Sequence, residues 1–389
     1  MISRNGLTFI IFLLFINITT TIGNNSSRYT YVLSYDLENR GNEPYLLDET
    51  EATFYLFQNT SWQIVRIKNT THPIASRQID ADGNKLIILD LPPKLDPNSR
   101  LFFSITYNIE SIDKPKPKIE PKVAGSLKDI PFELVKEFCV ETKTFNIKDE
   151  SILALSLRLT KNETTVLGVV IQLLDWIIHN ISYRAFEVPL YPNETLLGRE
   201  GDCDDQAILF VTMCRAVGIP AMLQTGCLFN DDIEKGMSSW SGHLNTKQRG
   251  IGWHGWALVY IPPWGWLPID MTLITSKEAI SRITDAPEYS KCIITSLNVS
   301  RLDYIGEIYT YRERLTSSEL YVRKLEISIK ENSGYEILKI LKEVKEIVSF
   351  IVVFILTFFP IFFIIFETII FFYCLFVLVK FKFIYKLHI

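Results

Sequence analysis

The sequence predicts an α+β protein: an all-β sandwich, a following region that mixes helices with strands, and a C-terminal transmembrane helix. Three observations carry this expectation. From Tyr29 to Ile109 short alternating runs are separated by turns such as Asp82-Gly83-Asn84, the pattern of strands buried on one face. From Thr164 onward the apolar period lengthens to that of a helix, with Val166, Val169, Val170, Leu173, Leu174 and Ile177 on one face. Between Ile347 and Phe366 no charged residue occurs, and after Glu367 a second apolar run reaches Val379, ample for one bilayer crossing.

Each segment has its own reason. Residues 1–23 read as a signal peptide, because the apolar run Leu7 to Ile18 follows Arg4 and is short for a membrane span; an uncleaved anchor is the alternative. Residues 24–111 form the expected sandwich, built from runs such as Tyr29 to Tyr35, Ala52 to Phe57, Gln63 to Ile67, Lys85 to Leu89 and Leu101 to Ile109. The acidic stretch Asp80 to Asn84 resembles a fragment of a calcium loop, but a hairpin turn explains it better because the rest of the ligand set is missing. Residues 112–126 are a Pro/Lys linker, where the alternating prolines of Lys114-Pro115-Lys116-Pro117-Lys118 block helix and sheet.

Residues 127–315 carry helices at Glu133 to Cys139 and Thr164 to His179, a loop from Asn180 to Pro192, a third helix after Asp202, a strand over Ala221 to Phe229, and a long polar loop from Asn230 to Gly252. Residues 316–346 are juxtamembrane, 347–379 the membrane segment and 380–389 a tail. Lys380, Lys382 and Lys386 put that tail in the cytoplasm, so the body lies outside the cell membrane. Asn24, Asn25, Asn59, Asn69, Asn162, Asn180, Asn193 and Asn298 each begin an Asn-x-Ser/Thr acceptor, which points to an exported glycoprotein of a eukaryote or an archaeon. A formal charge of -4 without a basic block argues against nucleic acid as a partner. Outside the cell Cys139, Cys214, Cys227 and Cys292 have three possible disulfide pairings, among which the sequence does not choose.

The chemistry is expected around Cys203. In Gly201-Asp202-Cys203-Asp204-Asp205-Gln206-Ala207, Asp202 is suited to cap a helix with Asp205 three positions on, which leaves Cys203 at the first helical position. The partial positive charge there favours a thiolate and its free N–H groups suit an oxyanion, while the carboxylates nearby oppose the thiolate. Downstream, Trp253-His254-Gly255-Trp256-Ala257-Leu258-Val259-Tyr260 alternates like a strand, turns at Pro262-Pro263-Trp264-Gly265 and returns as Trp266-Leu267-Pro268-Ile269-Asp270. Antiparallel pairing about Pro262 makes His254 and Asp270 neighbours, giving a Cys203, His254, Asp270 triad. His243, in the polar loop, reads as solvated, and His72, His179 and His388 fall outside the site region.

Taken together and in order, the Gly201-Asp202-Cys203 motif with its Gly218-Ile219-Pro220 helix exit, the His254-Gly255-Trp256 motif and the Gly265-to-Asp270 motif resemble those of the transglutaminase-like superfamily of cysteine enzymes, relatives of the papain fold. The resemblance spans about Val166 to Thr272. It implies a catalytic domain acting on protein or peptide substrates, with cell-surface proteins among the candidates, by acyl transfer through a thioester. Neither cofactor nor metal is expected. Leu258 departs from the family, many of whose members carry an acid there, and Tyr183 is the candidate for a second oxyanion donor. Peptide or amide hydrolysis is the expected outcome; protein-glutamine transamidation and a non-catalytic adhesion module are the alternatives. Trp240, Trp253, Trp256, Trp264 and Trp266 either line an acyl-binding cleft or belong to the core.

Overall fold

Alternation in the first segment produces a strand that pairs on both sides. In the computed structural model, which describes residues 26–331, strand β1 (Ser27–Asn39) buries Tyr29, Tyr31 and Leu37. It belongs to an eight-stranded sheet with β2 (Gln63–Thr70), β3 (Arg100–Ser111), β4 (Ala221–Ser239), β5 (Leu244–Ile261), β6 (Gly265–Ile269), β7 (Ile293–Val299) and β8 (Leu320–Lys330). The order is β7-β4-β5-β8-β1-β3-β2, with β6 paired to β5. Every pairing is antiparallel except β5 with β8.

This topology corrects the expected sandwich over 24–111 as a separate unit. A second, three-stranded sheet made of Thr53–Tyr55, Lys85–Leu89 and Ile74–Ile79 is present, and its Phe54 meets Phe103 of β3 at 5.6 Å between ring centroids. The larger sheet does not end at residue 111, however, because β8 pairs with β1 along its whole length and joins it to β5. A strand with apolar residues on one face does not reveal which distant strand will take its edge.

The linker is also part of the body. Lys114 N–H donates to Tyr289 O at 2.7 Å, Trp264 Nε1–H donates to Lys118 O at 3.1 Å, and Gly125 N–H donates to Pro262 O at 2.9 Å. Prolines removed the donors needed for a ladder, and the remaining polar groups found partners on the surface they cross.

The polar stretch from Asn230 to Gly252 is a hairpin rather than a loop. After a register shift between Phe229 and Glu234, β4 pairs with β5 through to Ser239 opposite Leu244. Its outer part is exposed on both sides, so it lacks the apolar alternation that identifies a half-buried strand. His243, at the tip, is buried; its Nδ1 lies 2.9 Å from Leu320 O and its ring stacks on Tyr321, far from the solvated role expected for it.

Helices α2 (Val166–Asn180) and α4 (Cys203–Ala216) follow the reading of residues 127–315, to which α1 (Glu150–Thr160) and α3 (Pro192–Gly198) are additions. In α4 every residue from Asp205 to Arg215 is buried, so the helix is a core element on all faces. Arg215 is satisfied there by Ala221 O at 2.7 Å, Ser300 O at 3.1 Å and Ser300 Oγ at 3.0 Å.

The Asp80 to Asn84 stretch is a turn, as expected. Asp80 accepts the N–H groups of Asp82 and Asn84, and Asp82 accepts those of Ser300, Arg301 and Leu302. The five described cysteines, Cys139, Cys203, Cys214, Cys227 and Cys292, are free thiols, so neither expected disulfide is formed. Of the described acceptor asparagines, Asn59, Asn69, Asn162, Asn180 and Asn193 are exposed, whereas Asn298 is half-buried and accepts from Gln224 Nε2 at 2.6 Å. Among the described residues no helix is long and apolar enough to cross a membrane. The expected signal peptide at 1–23 and the expected membrane segment at 347–379 lie outside the described residues.

Candidate active site

The start of α4 places the sulfur by hydrogen bonds that its own sequence supplies. Asp202 is the N-cap, and Asp205 Oδ2 reaches back to accept Asp202 N–H at 3.0 Å, as the motif requires. Asp205 Oδ1 accepts Leu190 N–H at 2.7 Å, tying the incoming loop to the helix. Gln206 Nε2 donates to Gly201 O at 2.9 Å, and Asp204 Oδ2 accepts the Tyr304 hydroxyl at 2.9 Å. Cys203 thus begins a helix whose first turn is fixed on three sides.

β5 then passes across this helix start at very short range. A Cβ on Gly255 would lie 2.9 Å from Asp204 Cβ and 3.1 Å from its Cα, so only glycine permits the approach. The backbone N–H groups of Gly255 and Asp204 favour the Cys203 thiolate. Burial pushes the Cys203 thiol up, and the Asp204 and Asp202 carboxylates add to this, while the two N–H groups oppose it. Burial pushes Asp202 up, to about 9, and the neighbouring Asp204 and Asp205 carboxylates add to this, so one of the neighbouring acids is neutral at pH 7.

Next to Gly255, His254 is 6 % exposed and its Nε2 lies 2.5 Å from Asp270 Oδ2. An ionised Asp270 can only accept, so Nε2 carries the proton and Nδ1 is left as the free base. Asp270 Oδ1 also accepts Thr272 N–H at 2.9 Å and Leu273 N–H at 2.8 Å. Burial acts to raise the Asp270 carboxyl, but the His254 hydrogen bond and charge with these N–H groups outweigh it and hold it low. Ala257 faces Ile269 and Ile261 faces Gly265, which centres the hairpin on Pro263, one residue from the midpoint of His254 and Asp270. His254 and Asp270 meet nonetheless, because the side chains span the offset.

The other predicted residues divide. Tyr183 sits in a two-residue strand paired with Gly201, is 63 % exposed, and feels the Cys203 charge at its phenol after the larger effect of burial. Trp256 is fully buried and donates to Gln224 Oε1 at 3.2 Å, and Trp240 is buried too, so both belong to the core. Trp266 packs against Phe138 and Tyr260. Trp253 turns to Glu326, donating at 2.9 Å.

Glu288 was not foreseen. It is fully buried, and its Oε1 is 3.9 Å from His254 Nε2. No periodic pattern or motif surrounds it in Ala286-Pro287-Glu288-Tyr289. Donor atoms of His254, Asp270 and Glu288 lie within 4.8 Å of one another, as do those of Asp202, Cys203 and Asp204. For the first group the 2.5 Å between Nε2 and Oδ2 is a hydrogen-bond spacing, closer than two ligands sharing a metal at about 2 Å each would stand.

With this geometry in place, residues 153–271 match the Transglutaminase-like superfamily profile. No curated protein sequence matches the chain. Among solved structures, a candidate cysteine protease from Cytophaga hutchinsonii is similar, with 16% identity, a TM-score of 0.47, and coverage of 79% of this chain and 92% of that one. The periplasmic domain of TgpA from Pseudomonas aeruginosa is 18% identical with a TM-score of 0.29, over 67% of this chain and 75% of its own. Red sea bream transglutaminase is 11% identical with a TM-score of 0.27, over 64% of this chain and 47% of its own.

Proposed function

Starting from residues 153–271 as a transglutaminase-like core, we propose that the protein is a thiol enzyme of acyl transfer in which Cys203, His254 and Asp270 act as nucleophile, base and orienting acid. The observation that carries this is the His254 to Asp270 hydrogen bond at 2.5 Å on the strand whose next residue, Gly255, packs against Asp204, the neighbour of Cys203. His254 Nδ1 takes the thiol proton as sulfur attacks a carboxamide or peptide carbonyl, then returns it to the leaving amine. A thioester forms on Cys203 and the C–N bond breaks. Free N–H groups at the α4 start, with the Tyr183 hydroxyl as second donor, stabilise the oxyanion. Because burial and two carboxylates raise the thiol, proton transfer accompanies attack rather than preceding it.

Water is the proposed acceptor, giving a peptidase or amidase. The tryptophans that would have to enclose an amine tunnel are largely occupied elsewhere: Trp240 and Trp256 are buried, and Trp253 binds Glu326. The test is incubation with a glutamine peptide and a labelled primary amine. Ammonia release independent of the amine is expected; amine incorporation that outruns it would make the protein a transamidase, and neither product would make it a binding module.

The location is likewise a proposal: outside the cell, anchored by 347–379, with the tail at 380–389 inside. It rests on the apolar runs and the lysines that follow the second. Protease added to intact cells should remove the body and spare a C-terminal tag; a protected body would reverse the orientation.

A further inference from the structure

A buried carboxyl group needs a partner or a proton, and Glu288 has no cation hydrogen-bonded to it. Both its oxygens are buried and make no hydrogen bond within the normal limit, and its side chain is wholly enclosed. The groups that face it are His254, at 3.9 Å, Asp270, Lys114 from the linker and the neighbouring Tyr289, while Arg282 acts on Asp270 through its charge. Lys114 acts on it only through its charge, and burial weakens that ammonium in turn.

Asp270 defines what Glu288 can do. A carboxylate offers about four acceptor positions. Three are taken, by His254 Nε2, Thr272 N–H and Leu273 N–H. One remains, on Oδ2, and a Glu288 oxygen lies within 4.8 Å of an Asp270 oxygen. Two acids this close inside a protein do not both ionise, and the one already holding three donors keeps the charge.

We propose that Glu288 is a positioning residue that, as a carboxylic acid, donates its O–H to Asp270 and completes the hydrogen bonding of the His254 to Asp270 pair. The proton stays on Glu288. By occupying the last acceptor position it makes Asp270 a weaker base, so His254 is oriented without being locked as an imidazolium. Burial is the main cause that pushes the Glu288 carboxyl well above the usual range, and the Asp270 charge adds to it.

This rests on the triad reading above, and the experiment separates the two. The rate of Cys203 alkylation by iodoacetamide is measured against pH in the full chain, with the labelled site identified by peptide mapping, for wild type, His254→Gln, Glu288→Gln and Glu288→Leu. Glutamine keeps a neutral donor; leucine fills the space without one. The expected result is a wild-type profile for Glu288→Gln and, for Glu288→Leu, a His254-dependent limb moved up by about one pH unit, the size of a lost charge-assisted hydrogen bond. A Glu288→Leu profile equal to wild type, or equal shifts in both variants, overturns the proposal. An unchanged profile in His254→Gln overturns the triad instead. Should the leucine variant fail to fold, Glu288→Ala carries the same comparison.

Discussion

Trp253 and His254 are consecutive residues on β5, and each reaches a fully buried glutamate. Trp253 Nε1 donates to Glu326, which also accepts from Tyr31 at 2.8 Å and Gln248 at 2.9 Å and pairs with Lys324 at 3.2 Å. His254 lies 3.9 Å from Glu288, which has no such set. Burial would raise both acids. At Glu326 the Lys324 charge and the three donors reverse that and hold the carboxyl low, whereas at Glu288 burial and the Asp270 charge leave it high. The burial is alike, and the partners decide the charge. A satisfied buried network fixes the sheet, while the unsatisfied one beside it retains a proton that the neighbouring chemistry can feel.

The comparison predicts that changes on the two sides fail in different ways. Cys203→Ala should reduce turnover by about 10⁴-fold or more, the scale on which a nucleophile acts. Its melting temperature should stay near that of wild type, because alanine is tolerated at a first helical position. Equal loss of fold and activity would erase the distinction. On the other side, Glu326→Ala leaves the donors of Tyr31, Gln248 and Trp253 and the half-buried Lys324 ammonium without their acceptor and should cost about 3–5 kcal/mol in a denaturant titration. A loss under about 1 kcal/mol would show that water reaches the network.

Smaller effects sharpen the site side. Tyr183→Phe should lower kcat by about 10²-fold with KM little changed if its hydroxyl meets the oxyanion. A change in KM alone would make it a binding residue. The smallest effect is on the pH dependence of stability. Asp202 is raised from 3.8 to about 9 in the folded protein, so its contribution is full below about pH 4 and is lost as pH rises towards 9. Asp202→Asn, which keeps a capping side chain but does not titrate, should flatten the fall in melting temperature between pH 6 and 9. Parallel curves for the two proteins would show that Asp202 ionises freely.

What the sequence revealed and what it concealed follow from how far apart the cooperating residues lie. The capped start of α4 was legible because Asp202, Cys203 and Asp205 interact within one turn. His254 and Asp270 were legible because a single hairpin joins them, its centre one residue from their midpoint. The pairing of β1 with β8 joins residues almost 300 positions apart in the chain, and no local pattern encodes it. Glu288 was hidden for the same reason: it comes to His254 through tertiary packing from a short turn with no periodicity. The β4 to β5 extension was hidden because solvent on both faces removes the alternation by which strands are recognised.

The β1 to β8 ladder has a mechanical consequence. Tyr29 lies opposite Lys330, and Glu331 N–H donates to Arg28 O at 2.9 Å, so the chain enters and leaves the described body at one corner. Tension drawn through both flanks would act across this ladder at its open end and load its hydrogen bonds one after another, peeling the strands instead of shearing them together. Peeling needs little force, and the first rungs to part would be those that join Arg28 to Tyr31 with Ser328 to Glu331. Further along the same ladder Ser34 stands opposite Leu325, with Glu326 opposite Leu33, so a sustained pull would reach the Trp253 anchor before it reached the rest of β5.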